Sequence, residues 1–265
     1  MKIGMCGSMI YPQKDLIGIE IVEETAKLGY DYIELSLRDI AALDEPGFSA
    51  LAKRLSKSGL VCESCNNFFP ASQRITGPDV HMDSLRRYTK EALRRAKQLG
   101  AEFIVFGSSP ARSYPEGFPR DKGWQQIIEA SHMIAEEADK AGVVIAIEYH
   151  NIHEANVLLS MTEAMKLFTE VNHPRMQVLA DYFHYAVMEE KPADLKQAAG
   201  HIVHAHFAEL KDRAFPLEPK QEYRDFIQAL RQGGFTGRIS IEAYTKDYSR
   251  DAEKALYVMR ELVKD

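Results

Sequence analysis

Along the chain, short runs rich in β-branched and aromatic residues alternate with longer segments whose apolar positions recur every three or four residues. The runs lie at 3–7 (IGMCG), 32–36 (YIELS), 60–65 (LVCESC), 103–107 (FIVFG), 143–149 (VVIAIEY), 176–181 (MQVLAD), 202–207 (IVHAHF) and 238–244 (RISIEAY). Helical periodicity falls at 15–29, 47–58, 82–99, 121–141, 161–170, 190–199, 221–233 and 248–263. Several of these segments close on a glycine that then feeds a strand: Leu28-Gly29, Leu99-Gly100, Ala141-Gly142 and Gly233-Gly234. Eight β-α units of roughly 33 residues each predict an α/β fold, a single (β/α)8 TIM barrel domain over residues 1–265. The strand runs are nearly continuous in apolar residues, as a parallel sheet covered on both faces requires. A doubly wound open sheet would show a Gly-rich fingerprint after its first strand, but here that strand runs into Gly7-Ser8-Met9-Ile10-Tyr11.

In such a barrel the chemistry sits where strands end and βα loops begin. Four consecutive strand runs end in a polar group: Glu148 (AIEYHN), Asp181 (LADYFH), His206 (HAHFAE) and Glu242 (ISIEAY). One carboxylate at a strand end is ordinarily a helix cap or an ion-pair partner. Four groups at equivalent depth on neighbouring strands converge on one rim, and three carboxylates there repel or take up protons unless a cation joins them. Three oxygen donors and one imidazole suit one divalent metal ion. Mn²⁺ is the first expectation, with Mg²⁺, Co²⁺ and Zn²⁺ as alternatives.

Charge and composition narrow the partners. Thirty-three Lys and Arg against 39 Asp and Glu give a net charge of -6, with no basic block, so no nucleic-acid partner is expected. No apolar stretch approaches the roughly 18 residues that span a bilayer, so no membrane partner is expected either. Three cysteines and an N-terminus unlike a signal peptide point to the cytoplasm.

The strand endings IEYHN, LADYFH, HAHFAE and ISIEAY resemble the metal motifs of the xylose isomerase-like TIM barrels, a superfamily of sugar isomerases and epimerases. Their spacing is similar to that of the ketose 3-epimerases, the D-tagatose and D-psicose 3-epimerase group. The resemblance implies that Glu148, Asp181, His206 and Glu242 hold the metal, with Glu148 and Glu242 doubling as catalytic acid and base. It further implies that Glu154, His184 and Arg213 bind substrate, Arg213 standing one residue further from His206 than the group's pattern places it. Barrels of this group often pair, so a homo-oligomer is expected, although nothing marks its contact surface.

Other positions are candidates on their own residues. Glu34, at the end of the second strand, and Asn67, after the third, are placed to hydrogen-bond substrate hydroxyls, with Asn66 beside it. Arg112 lies in the long loop 108–118, read as a lid, where it would reach a substrate oxygen or a neighbouring acid. His204 shares the face of His206 one layer deeper, which suits a packed or supporting residue. His150 and His153 fall near the rim without anything in the sequence to orient them. Cys62-Glu-Ser-Cys65 has a zinc or redox spacing but no second pair. An extended strand would turn the two thiols to opposite faces, so core packing is expected.

The constellation permits proton transfer next to a carbonyl through a metal-stabilised enediolate, with a carboxylate on either side of the substrate. Moving the proton at C3 of a ketose epimerises it, and moving it between C1 and C2 isomerises it. Loss of a β-hydroxyl would make the chain a dehydratase of the inosose or dehydroshikimate type. The loops after the seventh and eighth strands lack glycine, which favours a free sugar over a phosphorylated one. A three-metal apurinic endonuclease would need histidines after the third and fourth strands, where Cys65-Asn66 and Gly107-Ser108 stand. A non-catalytic sugar-binding barrel would not need both an acid and a base. The expected enzyme is an isomerase, a metal-dependent sugar epimerase or isomerase.

Overall fold

In the computed structural model, which describes residues 1–10 and 17–264, eight parallel strands close into a barrel in the order β1 to β8. The strands are β1 (Lys2–Cys6), β2 (Tyr32–Ser36), β3 (Cys62–Asn66), β4 (Phe103–Phe106), β5 (Val144–Ile147), β6 (Met176–Asp181), β7 (Ile202–Phe207) and β8 (Arg238–Ile241). The expected (β/α)8 architecture is therefore present, and each expected strand lies within two residues of an observed one at its start.

The helices are α1 (Val22–Leu28), α2 (Leu37–Ala42), α3 (Glu45–Ser58), α4 (Met82–Leu99), α5 (Ser109–Arg112), α6 (Arg120–Ala141), α7 (Met161–Val171), α8 (Tyr182–Val187), α9 (Pro192–Lys196), α10 (Gln221–Gln232) and α11 (Tyr248–Leu262). The first predicted helix, 15–29, is shorter than its periodicity suggests. A 3-10 turn at Ile19–Ile21 precedes α1, and Asp15 and Leu16 lie outside the described residues. The segment 190–199 contracts to the five residues of α9, because Pro192 fixes its first turn and the chain turns again before Gly200. The short helices α2 and α8 follow strands directly, α5 begins after Gly107 and Ser108, and all three carry too few turns to show a period.

Two layers of packing account for the architecture. Outward strand residues such as Ile33, Leu35, Ile104 and Ile145 join helix residues such as Leu51, Leu93 and Ile134 in one buried apolar shell. Inside the barrel, Val105, Ala146 and Leu179 form a separate small cluster. The rest of the interior above it is polar, which is where the fold departs from a purely apolar core. Gly4 makes part of that interior accessible: a Cβ there would stand 2.2 Å from the Tyr32 ring, so only glycine lets Tyr32 turn inward.

The β2–β3 pairing corrects one expectation. A register shift pairs Ile33 with Cys62 and Glu34 with Ser64, leaving Glu63 as an extra residue. The bulge breaks strict alternation, and the Cys62 and Cys65 sulfurs lie 3.7 Å apart rather than on opposite faces. Both thiols are buried, as core packing requires. Glu63 turns away instead and pairs with Lys2 and Arg238.

Candidate active site

Strand register brings the four candidate ligands together. Asp181 of β6 stands opposite His206 of β7, and Phe207 stands opposite Ile241 of β8, so Glu242 follows one step further along the same rim. Glu148 follows the last residue of β5 in the same way. Each of Glu148, Asp181, His206 and Glu242 offers a ligand atom within 4.8 Å of the other three, and all four are buried.

His206 is the hub. Its Nδ1 lies 2.8 Å from Glu148 Oε1 and 3.4 Å from Glu242 Oε2, while Nε2 donates to Glu34 Oε1 at 2.8 Å. Glu34 thereby fixes the ring so that Nδ1 faces the carboxylates, the arrangement that supports a metal-ligating histidine. Glu34 Oε2 accepts from His204 Nε2 at 2.7 Å and from Ser240 Oγ at 2.8 Å. Glu34 is thus fully buried beneath His206, and the expectation that it meets substrate at the rim is corrected. β2 continues two residues past it, so it sits one layer too deep.

The remaining ligands are also held from behind. Asp181 caps α8, accepting the Phe183 N–H through Oδ1 at 2.7 Å, which leaves Oδ2 toward His184 Nε2 and Arg213 Nη2, at 3.4 and 3.5 Å. Glu242 Oε1 accepts from Asn66 Nδ2 at 2.8 Å, and its Oε2 accepts from Arg213. Asn66 thus holds the Glu242 carboxylate in place, a role that its place next to Asn67 did not reveal. His184 is buried, with Nδ1 accepting from Asn151 Nδ2 at 3.0 Å. Its Nε2 has no hydrogen-bond partner and turns toward Asp181.

A cavity of about 210 Å³ opens over this cluster, with Asn67, Glu148, His150, Glu154, Arg213 and Glu242 among its lining residues. Glu154 is 36% exposed at the mouth, where Asn151 Nδ2 donates to it at 2.9 Å. Arg213 stacks over the Phe183 ring at 4.7 Å and reaches Glu154, Asp181 and Glu242. Positive φ angles of 59° and 47° at Asp212 and Arg213 form a tight bend in the seventh loop. That bend brings the arginine into the cavity despite the additional residue.

Arg112 does not behave as expected. Residues 109–112 form α5 instead of an open lid, and Arg112 is fully buried. Its Nη1 donates to the carbonyls of Phe106 and Glu148, both at 2.9 Å, and its Nη2 donates to His150 Nδ1 at 3.0 Å. It therefore braces the strand ends and has no direct reach to the cavity, although burial lowers its pKa to about 10.

Electrostatics follow the geometry. Burial pushes Asp181 up, and Glu148 and Glu242 add to that push against Arg213, so its carboxyl rises to about 7. Burial also opposes the charge on Glu148 and Glu242, but His206 outweighs it and holds both below the usual carboxylate range. Burial opposes the charge of His206 itself, yet Glu242, Glu34 and Glu148 raise it well above the ordinary value. The cluster thus stores protons exactly where a cation would replace them, as three crowded carboxylates require.

The chain belongs to the xylose isomerase-like TIM barrel family, whose match spans residues 22–262. Within that class its relatives are sugar epimerases and isomerases, so the expected isomerase class and the likeness to ketose 3-epimerases are borne out. The ketose 3-epimerase of Arthrobacter globiformis is 24% identical over 270 residues, covering 100% of this chain and 91% of its own. The D-psicose 3-epimerase of Ruminiclostridium cellulolyticum is 21% identical over 230 residues, 85% of this chain and 78% of its own. Among solved structures, D-psicose 3-epimerase with D-tagatose from Clostridium cellulolyticum H10 superposes with a TM-score of 0.88 at 19% identity, covering 99% of both chains. Among the described residues, no helix is long and apolar enough to cross a membrane.

Proposed function

We propose that this chain is a divalent-metal-dependent sugar epimerase or isomerase that moves a proton at a carbon next to a carbonyl, on a free ketose or keto-sugar. The observation that carries this reading is the placement of Glu148 and Glu242 around His206 in one cavity at the strand ends. The kinship with ketose 3-epimerases supports it.

The residues fit a metal. Three carboxylates and an imidazole whose second nitrogen is already engaged form an oxygen-rich donor set, for which Mn²⁺ is the first choice. A divalent ion held by Glu148, Asp181, His206 and Glu242 would supply the Lewis acidity that makes a carbon acid next to a carbonyl reactive. The chain's own groups supply the rest. Glu148 and Glu242, both largely ionised, are suited to take a proton from carbon and return one from the other side. Arg213, Glu154 and Asn67 line the cavity and would bind sugar oxygens. His184 presents its one unpartnered nitrogen beside Asp181, where a substrate oxygen could use it.

The test is to incubate the Mn²⁺-loaded protein with ketoses, inososes and keto-sugars in D₂O and locate deuterium by NMR. Label at C3 of a ketose supports epimerisation, and label at C1 or C2 supports isomerisation. A product lighter by one water assigns the dehydratase chemistry. Unlabelled, unchanged sugars throughout the panel overturn the proposal.

A further inference from the structure

His150 has no part in the proposed mechanism, and the structure fixes its orientation. It lines the cavity, two positions after Glu148, and its Nε2 lies 3.4 Å from Glu148 Oε2. That oxygen is the one left over when Glu148 Oε1 meets His206.

The ring cannot turn over. Arg112 Nη2 stands 3.0 Å from His150 Nδ1, and a guanidinium only donates, so Nδ1 accepts and the ring's hydrogen sits on Nε2. Arg112 is itself locked by two backbone carbonyls. The edge of the His184 ring packs against His150 at 4.8 Å and 88°. The backbone N–H of His150 is bound to Leu158 O at 2.9 Å. A second feature makes room for the pair: a Cβ on Gly107 would lie 2.3 Å from Glu148 Oε2 and 3.0 Å from His150 Nε2. The absence of a side chain at the end of β4 is what leaves both polar groups open to the cavity.

Resting on the sugar-isomerase reading, we propose that His150 is a further substrate-contacting residue, whose Nε2–H donates to a sugar oxygen next to the carbon served by Glu148. The ligand class is a polyhydroxylated carbonyl compound with a hydroxyl or carbonyl oxygen on the Glu148 face. Arg112 is its positioning residue. The expected contribution is that of one oriented donor to a neutral oxygen, about tenfold in kcat/KM.

Three variants separate this role from a structural one. In H150Q the amide nitrogen reaches the place of Nε2, whereas in H150N the amide oxygen reaches the place of Nδ1 and only Arg112 keeps its partner. H150F keeps the bulk and neither polar atom. The measurements are kcat and KM for D-tagatose, D-fructose and D-psicose with Mn²⁺, together with calorimetric Mn²⁺ affinity and melting temperature. The expected order of kcat/KM is wild type, then H150Q, then H150N and H150F together about tenfold or more below wild type, with Mn²⁺ affinity within about threefold throughout. H150N matching or exceeding H150Q overturns the proposal, because bracing Arg112 is then what matters. Mn²⁺ affinity falling in step with activity also overturns it. A wild-type protein that is inert toward all three sugars and toward the inososes and keto-sugars of the D₂O panel instead overturns the sugar-isomerase reading on which the proposal rests.

Discussion

Glu34 Oε1 accepts the Nε2 hydrogen of His206 at 2.8 Å, deep in the barrel and out of contact with the cavity. The carboxylate sets which face of the imidazole meets Glu148 and Glu242. It would therefore act on the proposed metal site without being a candidate ligand of the same four-residue cluster. Glu34→Gln is expected to lower Mn²⁺ affinity by roughly 10- to 100-fold, read by calorimetry. Glu34→Ala should lose more and also destabilise the fold, since it leaves His204, His206 and Ser240 without their shared buried acceptor. Wild-type affinity in the Gln variant would show that His206 needs no such support.

The proposed acid-base pair, Glu148 and Glu242, makes a separate prediction. Glu148→Gln and Glu242→Gln each keep the side-chain shape but remove the proton acceptor. Their kcat should fall by about 10²- to 10⁴-fold. Because both residues are also candidate ligands, the assay belongs at a Mn²⁺ concentration shown by titration to saturate each variant. Circular dichroism should show an intact barrel in both. A variant that turns over at the wild-type rate when saturated removes that residue from the acid-base pair.

The sequence revealed the barrel and its rim because both are written in local pattern. Apolar runs ending in Glu148, Asp181, His206 and Glu242 mark strands and their C-terminal ends directly. What local pattern cannot show is depth. Glu34 and Glu148 both follow apolar residues, but the layer each occupies depends on how far its own strand continues and on the register of its neighbours. The bulge at Glu63, which brings Cys62 and Cys65 together, likewise arises from pairing with β2 and has no signature within LVCESC. Arg112 differs for a related reason: a charged residue in a long βα loop reads as reaching substrate or an acid, and nothing local shows that two carbonyls from separate strand ends receive it instead.

Gly107 ties the backbone to the site. A methyl group there would meet Glu148 Oε2 at 2.3 Å and His150 Cε1 at 2.9 Å, both on side chains already held by His206 and Arg112. Gly107→Ala should therefore displace Glu148, lowering kcat/KM by about tenfold or more and costing about 1–3 kcal/mol of stability by overpacking. Thermal melting and steady-state kinetics on the same preparation test it. An alanine variant with both values unchanged would mean that Glu148 has room to move that its hydrogen bonds do not suggest.

Metal binding should be coupled to pH with a definite sign. Asp181 is raised to about 7 in the fold, and an unfolded Asp titrates near 4, so the folded metal-free chain holds a proton that the unfolded one has released. The associated stability is present below pH ~4 and is lost as pH rises to about 7. His206, also raised, adds stability that is fully present below its unfolded value of about 6.5 and is lost as pH rises through its folded value. Glu148 and Glu242 are lowered, so their contribution is lost only in acid, below the ordinary carboxylate range. Between pH 5.5 and 8 the metal-free protein should thus become less stable, while a cation displaces fewer protons and binds more tightly. Added Mn²⁺ should raise the melting temperature more at pH 8 than at pH 5.5. Calorimetry in buffers of different ionisation enthalpy should show proton release that shrinks over the same interval. An equal melting shift at both pH values, with no proton released, would mean that the ion does not bind through Asp181 and His206.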